Sequence, residues 1–454
     1  MKLTYDNVYF IGIGGIGMSA LARYFKFKGL TVGGYDRTPS TLTRALEAEG
    51  ISVHYEDCPE CIPADVAKTL VIYTPAIPSS LAELNYVKEH GYKLVKRAQA
   101  LGAVTEGQIC LAVAGTHGKT TTSTLVAHIL TEGTKGCSAF LGGISINYGT
   151  NMLMSHSPAV VVEADEFDRS FHQLHPAITA ITAMDADHLD IYGDLEHVQE
   201  SFRIYASQVS ETIILKLGLP ISSEDVSAKI MTYHFDDPRA DFHSTNLRLD
   251  DKGYYTYDLV YPGGTLHDIK VGALGWVNVE NSIAAAAICL CYGVDAQKVR
   301  RAIGTFKGVK RRLEVHYNGN GTTYIDDYAH HPTELASAIT SIRGIFPGRR
   351  ITGIFQPHLY TRTRDFAKEF AEALSLLDKV ILLDIYPARE EPIPGVTSEI
   401  ILKDITAAEK VLVSKDNLME YLEKEDIDIL GTFGAGNIDA FISPITEMLT
   451  NRYK

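Results

Sequence analysis

The stretch Ile109-Cys-Leu-Ala-Val-Ala114-Gly-Thr-His-Gly-Lys119-Thr-Thr-Thr-Ser-Thr124-Leu-Val-Ala-His-Ile129-Leu-Thr131 decides how the rest of the chain is read. Residues 109–114 are a short apolar run of the kind that forms a buried parallel strand. Gly115, Thr116, His117 and Gly118 then turn, and the spacing predicts a helix opening at Thr120 with Leu125, Val126, Ile129 and Leu130 on one face. A strand, a glycine turn, a lysine, hydroxyl residues and a helix start together suit a polyphosphate. Backbone N–H groups and the helix N-terminus cradle the anion, Lys119 neutralises it, and a threonine hydroxyl can hold Mg²⁺. The full Walker spacing wants a glycine where this chain has Val113, so the loop is a shortened variant. The expectation is a nucleoside triphosphate site.

Ahead of this loop, the first hundred residues read as an α/β unit. Residues 7–13 predict a strand, Gly12-Ile-Gly14-Gly15-Ile-Gly17 is a full G-x-G-x-x-G turn, and a helix continues from Met18. A second predicted strand, 30–35, ends at Asp36, near where an acidic residue would meet a ribose hydroxyl. Further strands are expected at 70–73 and 93–95, the latter followed by Lys96-Arg97-Ala98. The glycine turn says that a diphosphate sits on a helix N-terminus; NAD and a nucleotide sugar both satisfy it.

Behind the loop, a strand at 159–162 runs into Glu163-Ala-Asp165-Glu166-Phe-Asp168, and one at 177–182 runs into Met184-Asp185-Ala-Asp187-His188. Acidic clusters at the ends of parallel strands are where this fold class places ligands and metals. Residues 228–272 alternate around Tyr254–Tyr261 and predict antiparallel hairpins. An Ala-rich helix follows Asn278 and Asn281. The last 145 residues predict a third α/β unit, with strands at 322–325, 351–355, 380–383 and 427–433, each ending in polar residues.

Composition narrows the function. With 42 basic against 56 acidic side chains, a net charge of −14 and no basic stripe, nucleic acid is not expected as a partner. No span of eighteen apolar residues occurs, so no membrane insertion is expected, and the protein reads as soluble and cytoplasmic. Six cysteines do not make a disulfide framework; Cys58-Pro-Glu-Cys61 lacks a second CxxC or a His pair and reads as reduced thiols in a loop.

Three nucleotide-type α/β domains carrying these motifs resemble the Mur ligases of bacterial cell-wall synthesis. The segments that carry the resemblance span the chain: Gly12-Ile-Gly-Gly-Ile-Gly-Met-Ser19, Gly115-Thr-His-Gly-Lys-Thr120, Glu163-Ala-Asp-Glu166, Asp187-His188, Asp326-Asp-Tyr-Ala-His-His-Pro332, Gln356-Pro-His358, Thr361-Arg-Thr-Arg364 and Gly434-Ala-Gly-Asn437. The segments from Asp326 and Gln356 point to the branch that joins L-alanine to UDP-N-acetylmuramate, and to its relative that uses a murein tripeptide. The resemblance implies an N-terminal Rossmann-like domain (1–105) for the UDP-sugar and a central P-loop ATPase-type α/β domain with added antiparallel strands (106–309) for ATP. A C-terminal Rossmann-like domain (310–454) would take the amino acid.

The resemblance also implies roles. Gly12, Gly14, Gly15, Gly17, Met18, Ser19 and Asp36 would bind the sugar nucleotide. Gly115 to Thr121, with Asn281, Arg312 and Asp327, would bind ATP, Lys119 contacting its phosphates. Thr120 and Glu163 would ligate one Mg²⁺ and His188 a second. Tyr328, His330 and Arg362 would receive the amino acid, Arg362 at its carboxylate. Lys119, Glu163, His188 and His330 are the catalytic expectations. Three positions depart from the family pattern: Val277 stands where a histidine is frequent, Leu359 where arginine is frequent, and Gln99 where glutamate is common. A monomer or homodimer, hinged near residues 105 and 310, is expected. An NAD-dependent oxidoreductase and a non-catalytic nucleotide-binding protein are the readings from other classes; both leave part of this motif set unused.

Overall fold

The computed structural model describes residues 5–75, 77–185, 189–250, 252–388 and 390–452. It is built from three β-sheets of five, ten and six strands, flanked by helices. The chain divides into two compact units. The first comprises residues 1–248, 256–272 and 279–308, and the second 249–255, 273–278 and 309–454.

The first sheet is all parallel, in the order Ser52–His54, Thr31–Tyr35, Asn7–Ile11, Thr69–Tyr73, Lys93–Lys96. Strand order reverses on either side of Asn7–Ile11, so the glycine turn that follows it lies at the topological switch point, where such sheets bind ligands. The strand stops at Ile11 rather than residue 13, because Gly12 turns with a φ of +89°.

Ile109–Ala114 lies inside the ten-stranded sheet between Ala159–Ala164 and Ile178–Ile181, parallel to both. Five of its six residues are buried, as the continuous apolar run requires. A single apolar cluster includes residues of both sheets of this unit, from Phe10, Leu21 and Phe25 to Phe140, Val162 and Phe202. The Tyr24 and Phe140 rings stand 5.4 Å apart.

Residues 228–272 depart from the hairpin expectation. Lys229–His234 is parallel to Thr212–Lys216 and continues the main sheet. Phe242–Leu249 is also parallel to Lys229–His234, overlapping it only at Tyr233/Phe242 and His234/His243. Parallel neighbours lying side by side need a long crossover. Here the second strand begins where the first ends, so the seven residues 235–241 suffice. Tyr255–Tyr261 and Gly264–Lys270 form the expected antiparallel hairpin, and Phe242–Leu249 lies on the other side of Tyr255–Tyr261 as its neighbour in the sheet.

The six-stranded sheet of the second unit runs Glu314–Gly319, Thr322–Asp327, Ile429–Phe433, Ile351–Phe355, Lys379–Leu382, Glu409–Leu412. The four expected strands form its parallel centre. The edges Glu314–Gly319, which is antiparallel, and Glu409–Leu412 were not anticipated. Both are polar and half-exposed, and edge strands carry little apolar periodicity.

Gly34 tests the first sheet. A Cβ there would collide with the Phe10 carbonyl on the neighbouring strand. Gly34→Ala is expected to destabilise the first unit by about 1–3 kcal/mol, the usual cost of overpacking, read as a lower midpoint of its urea transition.

Candidate active site

The loop after Ile109–Ala114 is shaped by what crosses it. Gly115 takes a φ of +136°, and a Cβ there would collide with Thr182 Oγ1, which donates to the Ala114 carbonyl at 3.1 Å. Gly118, at φ +79°, is the N-cap of helix Lys119–Glu132, which starts one residue earlier than the pattern suggested. Asn281 Oδ1 would stand 2.9 Å from a Cβ on Gly118, and it accepts from Thr122 Oγ1 at 3.2 Å. Asn281 therefore lies at the phosphate loop itself. Thr120 and Thr121 occupy the first helical turn, half-buried. Thr116 hydrogen-bonds Asp185 through its hydroxyl, and His117 Nε2 lies 3.4 Å from the same carboxylate.

Lys119 is held on both sides. Its Nζ donates to the Gly115 carbonyl and to Glu166 Oε1, each at 2.8 Å. Burial works against the ammonium charge, but the carboxylates of Glu166, Asp165 and Glu163 outweigh it and raise the lysine's pKa. Burial also pushes the Glu166 carboxyl up, while Lys119 pulls it back toward the charged form. Glu166, with 1% of its side chain exposed, was not among the expected site residues. It stands in an acidic run whose sequence does not tell which carboxylate turns toward the lysine.

Glu163 pairs in register with Val113, one residue from the end of the loop strand. Its Oε2 accepts the Gly142 N–H at 3.1 Å, and a Cβ on Gly142 would run into this carboxylate. Glu163 faces a cavity of about 100 Å³ whose walls include Gly17, Arg97, Gly142 and Asp165. Gly142 lies in none of the motifs read from the sequence, and Arg97 was noted there only within Lys96-Arg97-Ala98. His188 lies outside the described residues.

At the first glycine turn, Gly12 is packed against Thr74, and Gly15 caps helix Ile16–Phe27. Asp36 is engaged with the turn itself. Its Oδ2 accepts the Gly14 N–H at 2.7 Å and Oδ1 the Thr38 N–H at 3.3 Å. Met18 and Ser19 are expected ligand residues whose side chains point into the core instead. The Ser19 hydroxyl donates to the Ile16 carbonyl at 2.9 Å and accepts from Asn151 Nδ2 at 3.1 Å. Asn151, fully buried, also donates to the Ile16 carbonyl at 2.6 Å and so ties the first turn of this helix to the central sheet's loop.

In the second unit, Tyr328 has the guanidinium groups of Arg311 and Arg312 over its ring at 5.1 and 5.6 Å. Both oxygens of Asp327 accept backbone N–H groups, from Leu313 and Ala329 at 2.8 Å each. That geometry makes Asp327 a support for the strand end rather than an open ligand for ATP, and burial pushes its carboxyl up to about 6. Burial lowers the pKa of His330, against the pull of Glu334, and its Nδ1 lies 3.0 Å from the Tyr328 carbonyl and 3.3 Å from Glu334. Arg362 lies on the short helix Tyr360–Asp365, and its buried Nη1 has no hydrogen-bond partner among the described residues. A buried guanidinium nitrogen in that condition suits an arriving carboxylate. Leu359 caps this helix at φ +72°, a strained conformation for leucine. Val277 packs on the apolar core of the second unit.

Removing Glu166 should leave Lys119 enclosed without its buried counter-charge. Glu166→Ala is expected to cost about 3–5 kcal/mol, visible as a lower thermal midpoint, and Lys119→Ala in the same chain should restore part of it.

Three family models match successive parts of the chain: Mur ligase family, catalytic domain at residues 7–108, Mur ligase middle domain at 113–289, and Mur ligase, glutamate ligase domain at 311–436. The chain is 48% identical to the UDP-N-acetylmuramate–L-alanine ligase of Phocaeicola vulgatus, with 99% of each chain covered. It is 49% identical to the enzyme of the same name from Porphyromonas gingivalis, over 98% of this chain and 99% of that one. Among solved structures it is similar to the UDP-N-acetylmuramate–alanine ligase MurC of Thermotoga maritima, with a TM-score of 0.80, 26% identity, and 98% and 99% of the two chains covered. The fold is shared also with a murein peptide ligase from Psychrobacter arcticus, at a TM-score of 0.70 and 22% identity, with 98% of this chain and 99% of that one covered. With matched domains from residue 7 to 436 and near-half identity along its whole length, the chain belongs to the Mur ligase family.

Proposed function

We propose that this protein joins L-alanine to the lactyl carboxylate of UDP-N-acetylmuramate at the expense of ATP, as a step in making peptidoglycan precursor. The observation that carries the reading is the cavity in the first unit. The first turn of the glycine-turn helix, at Gly17, and the acidic strand end, at Glu163, line the same space. A sugar nucleotide whose diphosphate rests on that helix would bring its carboxylate beside the nucleotide loop.

The chemistry follows from the substrates. A carboxylate is a poor electrophile, so ATP first converts it to an acyl phosphate and leaves as ADP. The alanine amine then attacks the acyl carbon, and phosphate departs from the tetrahedral intermediate. The protein supplies orientation and charge neutralisation rather than covalent help. Lys119 would face the ATP phosphates, Asn281 would support the loop, and Arg312 would add positive charge. Arg362 would hold the carboxylate of alanine, with Tyr328 and His330 beside it. Residues 1–105 would serve the sugar nucleotide, 106–309 ATP and 310–454 the amino acid. No helix of the described residues is long and apolar enough to cross a membrane; we place the reaction in the cytoplasm.

Magnesium fits the residues present. Thr120 and Glu163 offer the hard oxygen donors it prefers, and Mg²⁺ on a nucleotide takes most of its other ligands from phosphate and water. No cluster of three His, Cys, Asp or Glu forms a cage among the described residues. His188 would hold a second ion. Bound there, magnesium would neutralise phosphate charge. Gly142→Ala should weaken it by displacing Glu163: the Mg²⁺ concentration giving half-maximal activity is expected to rise about 10- to 100-fold.

The reading is tested by phosphate release from the purified protein with ATP, Mg²⁺ and UDP-N-acetylmuramate. Release that depends on L-alanine is the expected result. Release only with L-alanyl-γ-D-glutamyl-meso-diaminopimelate would transfer the assignment to the tripeptide reaction, and no release with either would leave a nucleotide-binding protein.

A further inference from the structure

We infer that Arg97 reads the carboxylate to be phosphorylated, holding the acceptor sugar by the one group that distinguishes it from other UDP-sugars. The inference rests on the ligase reading above. Arg97 opens helix Arg97–Thr105, directly after the last strand of the first sheet. Its guanidinium lies against the first turn of the glycine-turn helix, Nη1 being 2.9 Å from where a Cβ on Gly17 would stand. On its other side Nη2 donates to Asp165 at 3.1 Å, on the acidic strand end. Arg97 thus bridges the proposed diphosphate helix and the proposed metal side.

The cavity it lines has a divided wall. Leu21, Leu101 and Phe140 are apolar, while Arg97, Glu163 and Asp165 are charged. Its volume of about 100 Å³ accommodates a group of several heavy atoms, far less than a nucleotide. A lactyl group, with one methyl and one carboxylate, matches such a wall. Two carboxylates in the lining would repel it, and among the described lining residues Arg97 is the only cation. Arginine has five N–H donors in a planar fork, so one bond to Asp165 leaves it able to take a second carboxylate. Asp165 then fixes the fork's orientation. Lys96 offers an internal control. It makes a similar ion pair with Asp168, 3.1 Å long, but does not line the cavity.

The test compares two ligands in calorimetric titrations, with a non-hydrolysable ATP analogue and Mg²⁺ present. UDP-N-acetylmuramate carries the lactyl carboxylate, and UDP-N-acetylglucosamine lacks it. Arg97→Ala is expected to weaken UDP-N-acetylmuramate about 10- to 100-fold, the worth of a hydrogen bond to a charged group, while changing UDP-N-acetylglucosamine less than about threefold. Arg97→Lys, which keeps the charge without the fork, should fall between, and it carries the test if the alanine variant fails to fold. Lys96→Ala should leave both ligands unchanged. Equal weakening of both ligands by Arg97→Ala would overturn the inference, because Arg97 would then serve the diphosphate or the fold. No weakening of either would also overturn it. A wild-type protein that binds neither sugar nucleotide would instead remove the ligase reading beneath it.

Discussion

Everything proposed for the first unit depends on how one lysine is restrained. Lys119 stands at the start of a helix whose N-terminal N–H groups already favour anions, and its ammonium is tied to the Gly115 carbonyl and to buried Glu166. A free lysine would swing through many rotamers and would lose that freedom on meeting phosphate. Here much of that cost is met during folding. The ion pair in turn needs the sheet order. Glu166 reaches the lysine because Ala159–Ala164 runs parallel to and directly beside Ile109–Ala114, so the two strands end at the same level.

Charge organises the rest of that unit. Parallel strands end together, and their ends carry Glu163, Asp165, Glu166 and Asp185 within a few residues of one another along two strands. Uncompensated, such carboxylates would raise one another's pKa values. The protein meets each with a separate partner: Lys119 for Glu166, Arg97 for Asp165, the Gly142 N–H for Glu163, and Thr116 with His117 for Asp185. These assignments also divide labour. The Lys119–Glu166 pair, nearly closed to solvent, shapes the loop, while Glu163 and Arg97 line the cavity.

Much of this was legible in the residues. The loop strand, both glycine turns, the acidic strand ends and the parallel centre of the last sheet follow from runs of apolar residues stopped by glycine or charge. Side-chain direction was less legible. Met18 and Ser19 lie inside a motif associated with ligand, yet a helix has two faces: Met18 turns into the apolar cluster and Ser19 toward Asn151. Asp36 and Asp327 carry charge at strand ends, but each is committed to backbone N–H groups nearby. The alternating run near Tyr254 correctly signalled a hairpin, whereas Lys229–His234 was absorbed into the main sheet by parallel pairing that no local pattern encodes.

The sequence by itself determined the kinds of element, their order, and the position of both glycine turns, because strand and helix periods and the demands of positive φ act over a few residues. Tertiary structure decided which carboxylate holds Lys119, which expected ligand residues are buried, and that Arg97, Gly17 and Glu163 share one cavity. Those outcomes join residues as far as 146 positions apart in the chain, Gly17 and Glu163 being the farthest pair. The packing of two sheets onto a common apolar cluster brings such groups around one cavity.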